Sequence, residues 1–311
     1  MQSYLDLIQD IMQNGRHRTD RTGVGTISVF GRQFRHSLKD GFPLLTTKRL
    51  PFRWIAEELR WFLSGSTNEA DLRKVGVDIW KEWATKEECA RFGRKEGDLG
   101  PIYGALWRQF PIGPFPNYDL PGATVCLIRN DGQEQHLMGC DQVTAVISDI
   151  INEPYSRRML VSGWHPFYQR RVSLPPCHTV WQIYCEPETK EMSLHLYARS
   201  IDAFLGLPFN IASYALLLSL LAITTDYTPR DLIISFGDLH VYQNHVEQVR
   251  TQMERKPRPL PQLVINERLR STTFEGMLGA DNRMSSPAWT INDLSLRYYG
   301  PHDKIQAPVA V

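Results

Sequence analysis

The chain carries almost no net charge: 35 lysines and arginines stand against 34 aspartates and glutamates, a formal +1. That balance excludes a general electrostatic field for nucleic acid or an anionic membrane, so anion recognition must come from local arginine clusters and the expected substrate is small. Cysteine is sparse. The five, at positions 89, 126, 140, 177 and 185, are odd in number and show no CxxC spacing, which argues against a disulfide framework or a zinc cage and fits a reducing cytoplasm. Long hydrophobic runs are lacking too. The longest, Ile211 to Ile223, is broken by serines and too short to span a bilayer, so it reads as a buried helix. The first ten residues interrupt their apolar pattern with acids, unlike a signal peptide. Repeats and low-complexity tracts are missing as well.

What is present is core material. With 311 residues, 42% of them hydrophobic, the chain can build a sizeable core. Tyr4, Leu5, Leu7, Ile8, Ile11 and Met12 share one face of a helix expected over 3–14, with Gly15 as its stop. A β-like stretch follows over 24–34, then a helix over 54–63 and a short one over 68–74. Strands are expected over 159–164, 179–184, 192–197 and 232–236, and a helix begins near Pro208 and runs to about Thr224. Segments 86–99 and 111–137 break the pattern and read as surface insertions within one domain spanning 1–311. Strands mixed with isolated helices, without regular βαβ spacing, predict an α+β single domain.

Chemistry concentrates around Cys177. Two prolines stiffen its backbone, His178 follows it, and Arg170, Arg171 and Arg199 are cations able to depress a thiol pKa. Arg21, the pair Arg157 and Arg158, and Arg199 with Ser200 could together hold a phosphate, though each taken singly is the ordinary surface arginine. Glu58 lies in an apolar helical stretch; turned inward it would have a raised pKa and could move protons, turned outward it would pair with a cation. Asn210 can read a pyrimidine edge or cap a helix. His240 and Tyr242 share a face if they lie on a strand and could hold a sugar hydroxyl. Trp80 and Trp83, spaced i and i+3, could stack on a flat ring or belong to the core.

Several blocks carry a family resemblance: Asp20-Arg-Thr-Gly23, Phe42 to Arg49, Glu58 to Leu63, Ile79 to Trp83, Gly97 to Gly104, Ser156-Arg-Arg158, Pro175-Pro-Cys-His178, Arg199 to Tyr214, His240 to His245 and the terminal Ala307 to Val311. In that order they resemble the folate-dependent thymidylate synthases over nearly the whole chain. The resemblance implies an α+β domain with a large mixed sheet packed by helices, one sheet face forming a homodimer interface. It implies that Cys177 attacks C6 of dUMP, that C5 takes the methylene of 5,10-methylenetetrahydrofolate, and that hydride transfer then gives dTMP and dihydrofolate, without a metal. A covalent step fits the chemistry, because C5 of uracil is a poor nucleophile until a thiolate adds at C6.

By the same resemblance Glu58, Tyr103, His178, Asn210 and Asp202 serve catalysis, with Tyr103 near the C5 proton through ordered water. Asn210 meets the uracil edge, and His240 with Tyr242 the 3′-hydroxyl. Arg21, Arg199 and Ser200 hold the phosphate from one subunit, with Arg157 and Arg158 from the other. Ile79, Trp80, Trp83, Asp202, Leu205, Gly206 and Phe209 form the folate surface, Lys48 meets the glutamate tail, and Ala310 and Val311 close over the folate. Two positions depart from the family's usual residues: Ala198 stands where Gln is usual and His165 where Asn is usual. The alternatives carried by the scaffold are a pyrimidine-nucleotide 5-hydroxymethylase acting on dUMP or, less in keeping with Asn210, dCMP, and a non-catalytic nucleotide-binding protein.

Overall fold

The apolar stripe at the N-terminus forms α1 (Gln2–Asn14), which buries Tyr4, Leu5, Leu7, Ile8 and Ile11 and ends where the Gly15 N–H bonds the Ile11 carbonyl at 2.9 Å. In the computed structural model the described residues are 1–20, 22–113, 123–130, 133–270 and 287–309, with the backbone alone described between 112 and 138. Along the chain come β1 (Arg16–Arg18), β2 (Thr26–Ser37), α2 (Phe52–Ser64), α3 (Ala70–Lys74), α4 (Lys86–Ala90), α5 (Gly104–Arg108), β3 (Phe110–Gly113), β4 (Ala123–Asn130), β5 (Gln133–Cys140) and α6 (Gln142–Asn152). They continue with β6 (Leu160–Ser162), β7 (His178–Glu186), β8 (Glu191–Asp202), α7 (Gly206–Thr224), β9 (Thr228–Tyr242), α8 (Val246–Met253), β10 (Gln262–Ile265) and β11 (Leu294–Arg297).

A six-stranded sheet in the order β1-β2-β9-β8-β7-β6 organises the molecule. All its pairings are antiparallel except β8 with β9, which run parallel. Parallel neighbours need a crossover, and α7 supplies it. That helix is apolar all round and buried along most of its length, with Leu207, Ile211, Leu216, Leu217, Leu218 and Leu221 inside. By length and composition it could cross a membrane, yet 83% of its apolar window is enclosed by the protein, which marks a core helix. The fold is therefore α+β, with a large mixed sheet packed by helices.

Alternation along the strands sorts the sheet into two faces. Trp181, Ile183, Leu194, Leu196 and Ile234 are fully buried in the core. Cross-strand register places Tyr197 opposite Val180 and Tyr184 opposite Ser193 on the other face, where Tyr184 is 64% and Tyr197 44% exposed.

The two segments expected as surface insertions take different forms. Residues 86–99 carry α4, capped by the Thr85 side chain, with Cys89 fully buried and Asp98 bridged to Asn68. Within 111–137 the described backbone belongs to a three-stranded sheet ordered β3-β5-β4.

Candidate active site

The nucleophile candidate sits where the double proline enters β7. The Cys177 N–H donates to Tyr103 Oη at 2.9 Å, and its carbonyl accepts the Arg199 N–H at 2.9 Å. Arg199, on the neighbouring β8, turns its guanidinium back onto the same turn: Nε donates to the Pro176 carbonyl at 2.9 Å and Nη2 to the Pro175 carbonyl at 2.8 Å. Burial pushes the Cys177 thiol above its ordinary pKa, with the Arg199 charge and a Tyr103 hydrogen bond opposing. The sequence expectation of an exposed thiolate depressed by nearby cations is thus corrected: the residue is half-buried and desolvation outweighs the cation. Arg171 stacks its guanidinium over the Phe167 ring at 4.1 Å.

Tyr103 is held by strain and close packing. Its φ of 38° is a region bulky residues avoid. The next residue has to be glycine, because a Cβ on Gly104 would stand 1.9 Å from the Phe62 carbonyl of α2. This approach stacks the Tyr103 ring on Phe62 at 4.9 Å and beside His178 at 5.2 Å. Burial raises its phenol well above the ordinary value, so it stays protonated.

Glu58 settles inward. It is buried on α2, and Trp80 Nε1 donates to its Oε1 at 2.8 Å. Burial lifts its pKa to about 7, against the pull of that hydrogen bond. Trp80 is at once a core aromatic, ringed by Trp61, Phe62, Trp83 and Tyr103, and the partner of an acid. His178 lies between the rings of Tyr103 and Tyr214, and burial drives its pKa down to about 4, with Asn210 opposing, so it is neutral at physiological pH. Asn210 is buried in the first turns of α7 and is not its cap, which is Leu205.

Asp202 ends β8. Its two carboxylate oxygens accept the N–H groups of Phe204 at 2.8 Å and Leu205 at 3.2 Å, which shapes the turn into α7. Burial works against its charge, but His245, the Phe204 N–H and His240 hold its pKa below the usual value. Lys48 points inward: its ammonium donates to the Phe204 carbonyl and lies 3.5 Å from the centre of the Phe204 ring, and burial lowers its pKa to about 7, with Asp202 opposing. His240 and Tyr242 do share a face of β9, their rings 5.2 Å apart. The Asp20 turn reaches this corner, since the Gln243 N–H bonds the Gly25 carbonyl and Asp20 lies within electrostatic reach of His240. Ser200 is half-buried on β8, in register with Asp238.

Arg157 and Arg158 are not brought to this cluster. They are exposed just before β6, and since Leu160 pairs with Gln182, Arg158 lies about 20 Å along β7 from Cys177. Arg21, Ala310 and Val311 lie outside the described residues. Of the residues expected at the folate, Ile79, Trp83, Leu205, Gly206 and Phe209 are half-buried and Trp80 is buried, and the Trp83 indole N–H is buried without a partner. Among the described residues no group of three or more His, Cys, Asp or Glu could hold a metal ion.

Three participants escape a reading by residue type. Tyr214 packs its ring against both His178 and Trp107. His245, fully buried, is hydrogen-bonded through Nε2 to the Pro308 carbonyl at 2.7 Å and stands 3.8 Å from Asp202. Asp238 accepts from His240 Nδ1 at 2.9 Å; the period-two spacing of 238, 240 and 242 is the signal that could have found it. The family model described as thymidylate synthase matches residues 2–311, and with the arrangement of Cys177, Tyr103, Glu58 and Asn210 this chain belongs to the thymidylate synthase family.

Proposed function

We propose that the protein reductively methylates dUMP to dTMP, with 5,10-methylenetetrahydrofolate as its second substrate. The observation that carries this reading is the Trp80–Glu58 pair, an acid with a pKa of about 7 held in an aromatic box beside the Tyr103 that bonds Cys177. Such an acid is half-protonated near neutrality and can both take and return a proton.

In this reading Cys177 Sγ adds to C6 of the uracil, which makes C5 nucleophilic. The folate transfers its methylene to C5, the C5 proton departs to a base, tetrahydrofolate is eliminated from the methylene and returns a hydride to it, and Cys177 Sγ leaves C6, so that dTMP, dihydrofolate and the free thiol result. Asn210 presents an amide that can donate to O4 and accept from N3–H of uracil, a pattern a carboxylate would not match. Tyr103 keeps its own O–H proton while its oxygen accepts the Cys177 N–H, so it can donate toward the pyrimidine or a water. Neutral His178 packs the site without adding a charge that would compete with Glu58. Arg199, although two of its donors are committed to the Pro175 and Pro176 carbonyls, keeps a positive charge against the thiol and a nucleotide phosphate. Trp80, Trp83, Leu205 and Phe209 exclude water from the folate side, which favours hydride over water as the species that reaches the methylene.

The distance of Arg157 and Arg158 from their own Cys177 supports a homodimer in which each subunit lends them to the other. The exposed tyrosines Tyr184 and Tyr197, the latter opposite Val180, lie on the outer sheet face and offer a surface for that contact. Nothing in the reading calls for a metal, a membrane or a nucleic acid, and we place the protein in the cytoplasm.

Mass spectrometry of the products from dUMP and methylenetetrahydrofolate tests the proposal. dTMP with dihydrofolate is expected. 5-Hydroxymethyl-dUMP with tetrahydrofolate would mean that water reaches the methylene, and would direct attention to Ala198, fully buried opposite His178, and to His165, which packs on Phe110 and Tyr168.

A further inference from the structure

His240 has a partner on its own strand. Asp238 Oδ1 lies 2.9 Å from His240 Nδ1 and 3.0 Å from the Ser28 hydroxyl, and Arg18 Nη1 lies 3.1 Å from Oδ2. The carboxylate is thus fixed from β1, β2 and β9 at once. Burial disfavours its charge, but His240, Ser28 and Arg18 together keep it ionised well into the acid range. An ionised carboxylate only accepts, so the ring nitrogen facing it must carry a proton, and in a neutral imidazole the other nitrogen is then bare.

We infer that Asp238 is a positioning residue that sets the tautomer of His240: it holds the proton on Nδ1, so that in the neutral ring Nε2 is the acceptor, selective for a nucleotide whose sugar carries a hydroxyl donor. The inference rests on the reading of His240 as a sugar contact. It adds the discriminating element: the site favours a free 3′-hydroxyl because the histidine is held ready to accept from it. Asp20 and Asp202 face the same ring from the loop before β2 and from β8, yet the 2.9 Å contact gives Nδ1 to Asp238.

Steady-state kinetics and calorimetric binding of wild type, Asp238→Asn and Ser28→Ala, each with dUMP and with 2′,3′-dideoxyuridine 5′-monophosphate, test this. Asparagine can donate its amide to Nδ1 and so favours the opposite tautomer. Wild type should bind dUMP more tightly than the dideoxy analogue by about tenfold, the scale of one hydrogen bond. Asp238→Asn should lose most of that ratio, raising KM for dUMP while leaving affinity for the analogue and kcat within about twofold, and Ser28→Ala should lose part of it. Equal weakening toward both nucleotides, or an unchanged ratio, would overturn the inference and leave Asp238 a structural residue. Binding of dUMP without turnover would instead count against the proposed reaction while leaving this discrimination measurable; failure to bind either nucleotide would overturn both.

Discussion

At the scale of single residues, the site combines groups whose pKa values burial has moved in opposite directions. Glu58 is raised to about 7 and His178 lowered to about 4, so near neutrality the acid can exchange its proton while the imidazole stays uncharged. A buried acid with a raised folded pKa favours the folded state below its unfolded value, and that contribution is lost as pH rises from about 4.5 through about 7. Glu58→Gln should therefore be more stable than wild type at pH 8 than at pH 5, by roughly 2 kcal/mol in the difference, and lose most of its turnover. Denaturant melts at the two pH values with parallel assays check this, and an unchanged gap would mean Glu58 is not desolvated. Cys177 behaves differently because its thiol is raised while Arg199 opposes the shift. Its alkylation by iodoacetamide should keep accelerating above pH 9, since only the thiolate reacts. Arg199→Lys should retain much of that reactivity and Arg199→Met should lose it several-fold; equal rates in the two variants would remove the charge from the explanation.

At the scale of elements, the site depends on two close approaches. Gly104 lets the Tyr103 turn lie directly on the α2 backbone, and Arg199 on β8 clamps the prolines that enter β7. Gly104→Ala would drive a methyl group into the Phe62 carbonyl, and should cost roughly 3 kcal/mol or more in unfolding experiments. Because the displacement reaches Tyr103 first, residual folded protein should show kcat falling further than Tm suggests. A variant of wild-type stability would mean that α5 can move without penalty. Much at this scale was legible in the chain: α1, α2, β7, β9 and α7 follow from apolar spacing of 3.6 or 2 and from Pro208 in a first turn. The short α5 and helices α6 and α8 were not. α5 spans five residues, fewer than a periodic pattern needs, and α8 has little apolar contrast, with only Val249 and Gln252 buried.

At the scale of the whole molecule, the issue is whether Arg157 and Arg158, about 20 Å along the sheet from Cys177 of their own subunit, take part in a site at all. If each subunit completes its partner's site, Cys177→Ser and Arg157→Ala/Arg158→Ala should each be nearly inactive alone. Mixed after reversible denaturation, they should regain up to about a quarter of wild-type activity, since a heterodimer carries one intact site and half the dimers are mixed. Recovery no greater than the sum of the separate activities would place the two arginines in their own subunit or outside the site. The exposed tyrosines of the outer sheet face belong to the same expectation: Tyr184→Lys with Tyr197→Lys should shift the assembly toward monomer in sedimentation and lower activity with it.

The sequence by itself determined the fold class, the order of the main elements and the identity of the chemical groups, because periodic burial and proline placement are local properties of the chain and the motif blocks fix residue types. It did not determine their states. Whether Glu58 faced inward, whether Asn210 capped a helix, and whether the cations near Cys177 outweighed its burial were decided by α2, β8 and α7 coming together around one site. Asp238 shows the same limit: its spacing from His240 is written in the chain, but the Ser28 and Arg18 contacts that hold its carboxylate arise only when β1 and β2 join β9. Desolvation and hydrogen-bond partners depend on what lies opposite a side chain, and only the packed tertiary structure sets that.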